Sequence, residues 1–244
     1  MRIGIFSDIH GNLPALQAVL DHMNTQGVET KVCLGDIVGY GAFPNECVET
    51  VVSNCKFIVR GNHDDACVDL KQALGFNPLA REAIEWTAKH TTASNKDFLR
   101  NLEYGYLTED GIMFIHGSPK YPFAYIFNDS DADSAFAAEE FNIAFVGHTH
   151  IPMVWGNKGD SYKPLMHGGD TYTTALNDDE RYIVNVGSVG QPRDNDSRAS
   201  YVLYDTETKE LVFHRVSYPI ERAVSRMQQA SLPAPLWQRL LVGR

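Results

Sequence analysis

The 244-residue chain has no apolar run long enough to span a bilayer, no low-complexity segment and no internal repeat, and its first apolar run begins at residue 2. Those absences give no sign of a transmembrane helix or a signal peptide, so a cytoplasmic location is the default expectation. Cysteine is scarce. Cys33, Cys47, Cys55 and Cys67 show neither the close pairing of a metal knuckle nor a disulfide framework, and Cys33 reads as a small buried apolar residue. Positive charge is also short: 21 Lys plus Arg against 31 Asp plus Glu leave a formal charge of −10. That balance argues against generic binding to a nucleic-acid backbone and leaves small phosphorylated substrates as candidates. Asp129, Asp131 and Asp133, and likewise Asp178, Asp179 and Glu180, read as solvated loop surface. With hydrophobic residues at 43%, the chain can bury a full core as one α/β domain over residues 1–244, with a helical tail from about residue 219.

What is present is a set of five short apolar runs, each ending in residues that ligate metals. The runs are Arg2 to Phe6, Lys31 to Leu34, Phe57 to Val59, Ile112 to Ile115 and Ile143 to Val146, all of strand length and rich in β-branched or aromatic residues. Behind them come Asp8 and His10, Asp36, Asn62 and His63, His116, then His148 and His150. Strands sharing a sheet and a direction bring their C-terminal ends to one edge, which would gather these residues at a point. In Asp8-Ile9-His10 and His148-Thr149-His150, an extended backbone would put positions two apart on the same side, and a turn would let the two histidines serve different metals. Gly11, Gly35, Gly61, Gly117 and Gly147 mark sharp exits from the strands.

The series Asp8-Ile9-His10-Gly11-Asn12, Gly35-Asp36, Gly61-Asn62-His63-Asp64, His116-Gly117 and Gly147-His148-Thr149-His150 resembles the calcineurin-like metallophosphoesterase superfamily, with its blocks in the family's order. The match extends to Asn185-Val186-Gly187-Ser188-Val189, a segment common in small bacterial members. The resemblance implies an α/β fold, a two-sheet β-sandwich flanked by helices. It also implies a dinuclear centre of divalent or trivalent transition-metal ions. Asp8, His10, Asp36 and His150 would hold one ion, and Asp36, Asn62, His116 and His148 the other, with Asp36 as the bridge. The mixed nitrogen and oxygen set suits manganese, iron or zinc. By the same resemblance His63 points at the scissile ester, and Asp64 orients it. The metals, about 3.5–4 Å apart, would bind phosphoryl oxygens and align an activated water for in-line attack, with no protein nucleophile.

Between the motif strands the sequence reads as helices. Asn12 caps one with Pro14 in its first turn, and Leu16, Val19, Leu20 and Met23 recur on one face until Gly27. Pro44 to Val52, Leu79 to Ala88 and Asn95 to Leu102 suggest three more. From Ile151 the pattern changes to strands at Pro152 to Trp155, Arg181 to Val186, Ser200 to Tyr204 and Leu211 to Val216. Glu221 to Gln229 forms a last helix, and Leu232-Pro233-Ala234-Pro235 breaks it before a tail with Trp237, Leu240 and Leu241, free to dock on its own domain or on a second subunit of a homo-oligomer. His22, His90 and His214 read as structural or solvent-facing. His167, opening His167-Gly168-Gly169-Asp170, fits a hairpin turn or a loop over the site.

Substrate choice rests on a departure from the family. Protein Ser/Thr phosphatases and symmetrical diadenosine tetraphosphatases carry an Asp-Arg-Gly stretch after the second block, whereas this chain reads Gly35-Asp36-Ile37-Val38-Gly39-Tyr40-Gly41. The missing arginine favours the small bacterial phosphodiesterase-like branch. Arg193, in the loop Gly187 to Asp194, is a candidate replacement cation, or else a surface residue paired with Asp194 or Asp196. Tyr40 either lines a substrate pocket or covers the sheet edge. Two rivals remain: a protein-binding scaffold like the retromer subunit of this fold, which lacks the full catalytic set, and a repair-type nuclease.

Overall fold

Alternation along the apolar runs decides the architecture. In Arg2–Phe6, Ile3 and Ile5 point to one side while Phe6 points to the other, and both sides are buried. Ile112 and Phe114 alternate in the same way with Met113 and Ile115, as do Ile143 and Phe145 with Ala144 and Val146. A strand with two apolar faces needs a layer on each, and the chain provides them. The computed structural model describes residues 1–164 and 169–244, so His167 lies outside the described residues.

Among the described residues there are two six-stranded mixed sheets. The first has the order β3 (Phe57–Ile58), β2 (Thr30–Cys33), β1 (Arg2–Phe6), β11 (Ala199–Asp205), β12 (Glu210–Val216) and β9 (Thr171–Ala175). The second runs β4 (Gly105–Leu107), β5 (Ile112–Ile115), β6 (Ile143–Val146), β10 (Tyr182–Asn185), β7 (Met153–Gly156) and β8 (Ser161–Tyr162). Ile3, Ile5, Val32, Phe114, Phe145, Val184, Val202 and Phe213 form the core between the sheets. Helix α1 (Leu13–Thr25), with α2 (Pro44–Asn54), α3 (Asn62–Val68), α4 (Pro78–His90) and α5 (Ala93–Arg100), lies on the side of the first sheet. Helix α6 (Asp129–Ala138) covers the outer face of the second. The α/β two-sheet sandwich flanked by helices is therefore the observed fold.

Three expectations need correction. The five motif strands do not share one sheet: β1, β2 and β3 are parallel neighbours in the first, and β5 and β6 are parallel neighbours in the second. Their exits meet because both sheets present the same edge. Asp129, Asp131 and Asp133 lie in α6, not in a loop, since the Asn128 side chain accepts from Asp131 N and starts the helix. Glu180 is buried, accepting from the Tyr182 hydroxyl at 2.8 Å, while Asp178 and Asp179 stay at the surface paired with Lys209 and Lys158.

Helices α7 (Ile220–Gln229) and α8 (Ala234–Gln238) pack against the rest of the chain. Met227, Leu232, Leu236 and Leu240 are buried together with Tyr40, Ala80 and Ala83. The apolar tail thus docks on its own domain, directly behind a residue of the second motif. His22, His90 and His214 are structural: His22 hydrogen-bonds the Tyr201 hydroxyl, His214 stacks on the Tyr201 ring, and His90 stacks on Trp86. Leu236, fully buried, should cost about 2–5 kcal/mol on truncation to Ala. Leu241→Ala, at a side chain 50% exposed, should change stability by less than about 0.5 kcal/mol. Urea denaturation of both variants checks this, and equal losses would mean that a second copy covers Leu241.

Candidate metal centre

The site sits where the exits of β1, β2, β3, β5 and β6 converge, and the backbone there leaves the strand conformation. Asp8, His10, Asp36, Tyr40, His148 and His150 all have positive φ, from 49° to 67°. Asp8 and His10 therefore meet through successive left-handed turns and not through extended alternation, which corrects the simpler reading of the Asp-x-His spacing. The turns are held by long-range backbone bonds: Asp8 N donates to Gly35 O at 3.1 Å, and His10 N to Asp36 O at 2.9 Å. Gly61 and Gly147 are required by close approach. A Cβ on Gly61 would strike the backbone N and carboxylate of Asp36, and one on Gly147 would strike Ser7 and Asp8.

The side chains form two clusters sharing one carboxylate. On one side, His10 Nε2 is 3.2 Å from His150 Nε2, and these nitrogens lie 3.8 and 3.3 Å from Asp8 Oδ1. On the other, His116 Nε2 is 3.0 Å from His148 Nδ1 and 3.2 Å from Asn62 Oδ1. Asp36 Oδ2 stands between them, 3.6 Å from His10 Nε2 and 3.4 Å from His116 Nε2. Asp8, His10, Asp36, His116, His148 and His150 are all buried. His148 and His150, two residues apart, face different clusters.

Second hydrogen bonds fix how the imidazoles point. Nδ1 of His10 donates to Val38 O at 3.1 Å, that of His116 to Leu34 O at 2.8 Å, and that of His150 to Gln191 O at 2.6 Å. With Nδ1 committed to a carbonyl, each Nε2 faces the centre, and those of His10 and His150 aim lone pairs at it. Burial pushes His10 and His150 well below the usual histidine range, so neither holds a second proton at neutral pH. Two lone pairs therefore face each other at 3.2 Å beside Asp8 Oδ1, which is buried without a hydrogen-bond partner. A cation resolves that contact, and the donor set fits a transition metal. In the other cluster burial opposes charge on His116, but the Asp36 carboxylate outweighs it and lifts the imidazole to about 9. Burial, followed by the His116 charge, lowers His148 to about 3. His116 thus keeps a proton that it shares with His148 until a cation displaces it.

His63 borders the first cluster, with one ring nitrogen within 4.8 Å of ligand atoms of His10 and Asp36. Its ring packs on Tyr40 and Phe76, and Nδ1 has no partner. Asp64 does not orient it. The Asp64 carboxylate accepts from Ile37 N, Val38 N and Gly61 N at 2.9, 3.1 and 3.0 Å, and so ties the second motif to the third. Arg193 is not paired with Asp194 or Asp196, which bind Arg215 and Arg198 instead. Its guanidinium lies 6.0 Å from the centroid of the Tyr40 ring, which packs in turn on His10 and His63.

An open cleft of about 340 Å³ leads from Asn62, His63 and His148 outward between Tyr40, Phe76, Phe123 and Tyr125. Tyr125 stacks on His148 at 3.8 Å between centroids yet is 45% exposed. Sequence reasoning missed Phe76, Phe123 and Tyr125, because they lie outside every motif and on no periodic element.

Residues 1–209 match the model of the calcineurin-like phosphoesterase superfamily domain, and the chain belongs to that family. It is a metal-dependent phosphoesterase. An uncharacterized protein from Methanocaldococcus jannaschii is 40% identical across 99% of this chain and 98% of its own length. The crystal structure of a metallophosphoesterase from Sphaerobacter thermophilus superposes with a TM-score of 0.89 at 39% identity, covering 100% of this chain and 99% of the other. A hypothetical protein from Pyrococcus horikoshii shares the fold at a TM-score of 0.80 and 22% identity, over 100% and 98% of the two chains.

The three backbone bonds to Asp64 imply a structural cost on substitution. Asp64→Ala should lower stability by about 3 kcal/mol or more, since buried N–H groups lose a charged acceptor, and metal content should fall with it. Calorimetric unfolding with elemental analysis checks this. An Asp64→Ala variant of unchanged stability and metal content, but slowed turnover, would restore the orienting role.

Proposed function

We propose that the protein hydrolyses phosphodiester or phosphoanhydride bonds at a dinuclear centre. Asp8, His10, Asp36 and His150 are the ligands of one ion, and Asp36, Asn62, His116 and His148 those of the other. The observation that carries this reading is the position of Asp36 Oδ2, within 3.6 Å of one histidine cluster and 3.4 Å of the other. A single carboxylate oxygen between two sets of buried lone pairs suits a bridge. Ions of manganese, iron or zinc held there would supply Lewis acidity toward phosphoryl oxygens and an activated water.

The protein's own groups then orient the ester. His63 borders both the centre and the cleft, so a leaving group departing past it enters the space between Tyr40, Phe76, Phe123 and Tyr125. Burial holds His63 down to about 4, with Asp36 opposing, so it is neutral in the free site. An anionic phosphoryl group beside it would favour the imidazolium, which can protonate the departing oxygen. Tyr40 lines the cleft with Arg193 against its ring, and in this reading both contact the substrate. The volume suits a small ligand. The stretch after Asp36 brings no cation, which supports diesters and anhydrides over phosphoproteins, because a monoester dianion demands more positive charge. The complete donor set argues against a purely scaffolding role.

A manganese-supplemented panel of aryl monoesters, aryl diesters, cyclic nucleotides, dinucleoside polyphosphates, phosphopeptides and DNA tests the reading. Hydrolysis of diesters or anhydrides is expected, and turnover of phosphopeptides alone would overturn the preference. Asp36→Asn keeps the volume but removes the bridging charge. The folded variant should lose metal and turnover together, and two retained metals with unchanged turnover would show that Asp36 is no bridge. His63→Gln should keep both metals but slow alkyl esters by about 10²–10⁴-fold, with a much smaller loss on aryl esters whose phenols leave readily. Equal losses on both, with chemistry rate-limiting, would remove the general-acid role.

A further inference from the structure

Two guanidinium groups beside the centre share one neutral acceptor. Arg193 Nη2 donates to Gln191 Oε1 at 2.9 Å, and Arg239 Nη1 donates to the same oxygen at 3.2 Å. Gln191 is 1% exposed, and its Nε2 has no partner; Arg193 Nε is likewise buried and unpartnered. Among the described residues no carboxylate lies within ion-pair distance of either guanidinium. Elsewhere in the chain, Arg60, Arg198 and Arg215 each find an aspartate. Two like charges drawn to a single amide oxygen, with spare donors around it, form an arrangement that an anion completes. The forked donors of arginine match phosphate oxygens in particular.

The pair is fastened to the metal centre. Gln191 O accepts from His150 Nδ1 at 2.6 Å, and Arg193 N donates to His150 O at 3.3 Å. The Arg193 guanidinium lies 6.0 Å from the ring centroid of Tyr40, and the Tyr40 ring packs on His10 at 4.7 Å between centroids. Arg239 comes from the C-terminal tail, held by the buried Leu236 and Leu240 on either side, and lies beyond the residues 1–209 that match the family.

We propose that Arg193 and Arg239, with Gln191, form an anion subsite that holds a second phosphate group of the substrate, joined to the one under attack. The inference rests on reading the centre as a phosphoester hydrolase, and it narrows the substrate class to compounds with a phosphate beyond the scissile one. Specificity of this kind would come from the tail acting together with the loop that carries Gln191 and Arg193.

The test compares the affinities of AMP and of the non-hydrolysable α,β-methylene analogue of ADP for the manganese-loaded protein, by titration calorimetry at fixed metal concentration. The wild type should bind the analogue about 10-fold or more tightly, as expected for a charged hydrogen bond to the added phosphate. Arg239→Gln should bring the ratio close to one. Arg193→Gln should do the same, and serves if the tail variant fails to fold. Equal affinity of the wild type for both ligands, or an unchanged ratio in the folded variants, would overturn the proposal. Loss of both affinities in proportion would likewise overturn it, by assigning the arginines to support of the loop. A protein that binds with the expected ratio but hydrolyses nothing in the phosphoester panel would instead refute the hydrolase reading.

Discussion

The meeting of imidazole nitrogens and carboxylates at one dry edge is the constraint around which this structure is arranged. Lone pairs repel one another, and burial removes the water that would separate them. The fold contains the repulsion by giving His10, His116 and His150 a second commitment. Val38 O, Leu34 O and Gln191 O each accept a hydrogen bond from a histidine Nδ1, and each of those carbonyls sits on a loop that bears or adjoins other site residues. The loops thereby position one another's side chains. Loosening any one of them frees a histidine to rotate on a different part of the chain.

That interlocking explains why the sandwich needs both of its sheets. Asp8, Asp36 and Asn62 follow strands of the first sheet, while His116, His148 and His150 follow strands of the second. His116 reaches across to Leu34 O, and Asp8 accepts from His148 N at 3.0 Å. The contacts that shape the centre also rivet the layers together at one end. Cations entering the cradle would therefore act on the stability of the sandwich as well as on chemistry.

The residues gathered at the site were legible because each follows a strand-length apolar run, a local signal that survives without knowledge of the partners. Roles that depend on distant partners were not legible. Asp64 adjoins His63 in sequence, yet its oxygens face Ile37 and Val38, and only the folded chain shows that. Arg193 looked equally able to pair with its neighbour Asp194, which is instead taken by Arg215 from β12. Phe123 and Tyr125 occupy an irregular segment, and Arg239 a short tail, where neither periodicity nor motif marks a residue. The strand runs were recognised, but their division between two sheets was not, because parallel neighbours in either sheet read alike.

The left-handed backbone at Asp8, His10, Asp36, His148 and His150 sets a second requirement at positions already chosen for chemistry. A descendant that abandoned metals would be released from needing carboxylates and imidazoles there, but not from the handedness of its turns. Drift at those sites would be channelled toward asparagine and glycine, which tolerate that conformation, and away from valine, isoleucine and threonine. Lost catalysis would then leave a backbone fossil, and an alanine scan of the living enzyme would record conformational strain alongside the loss of each side chain.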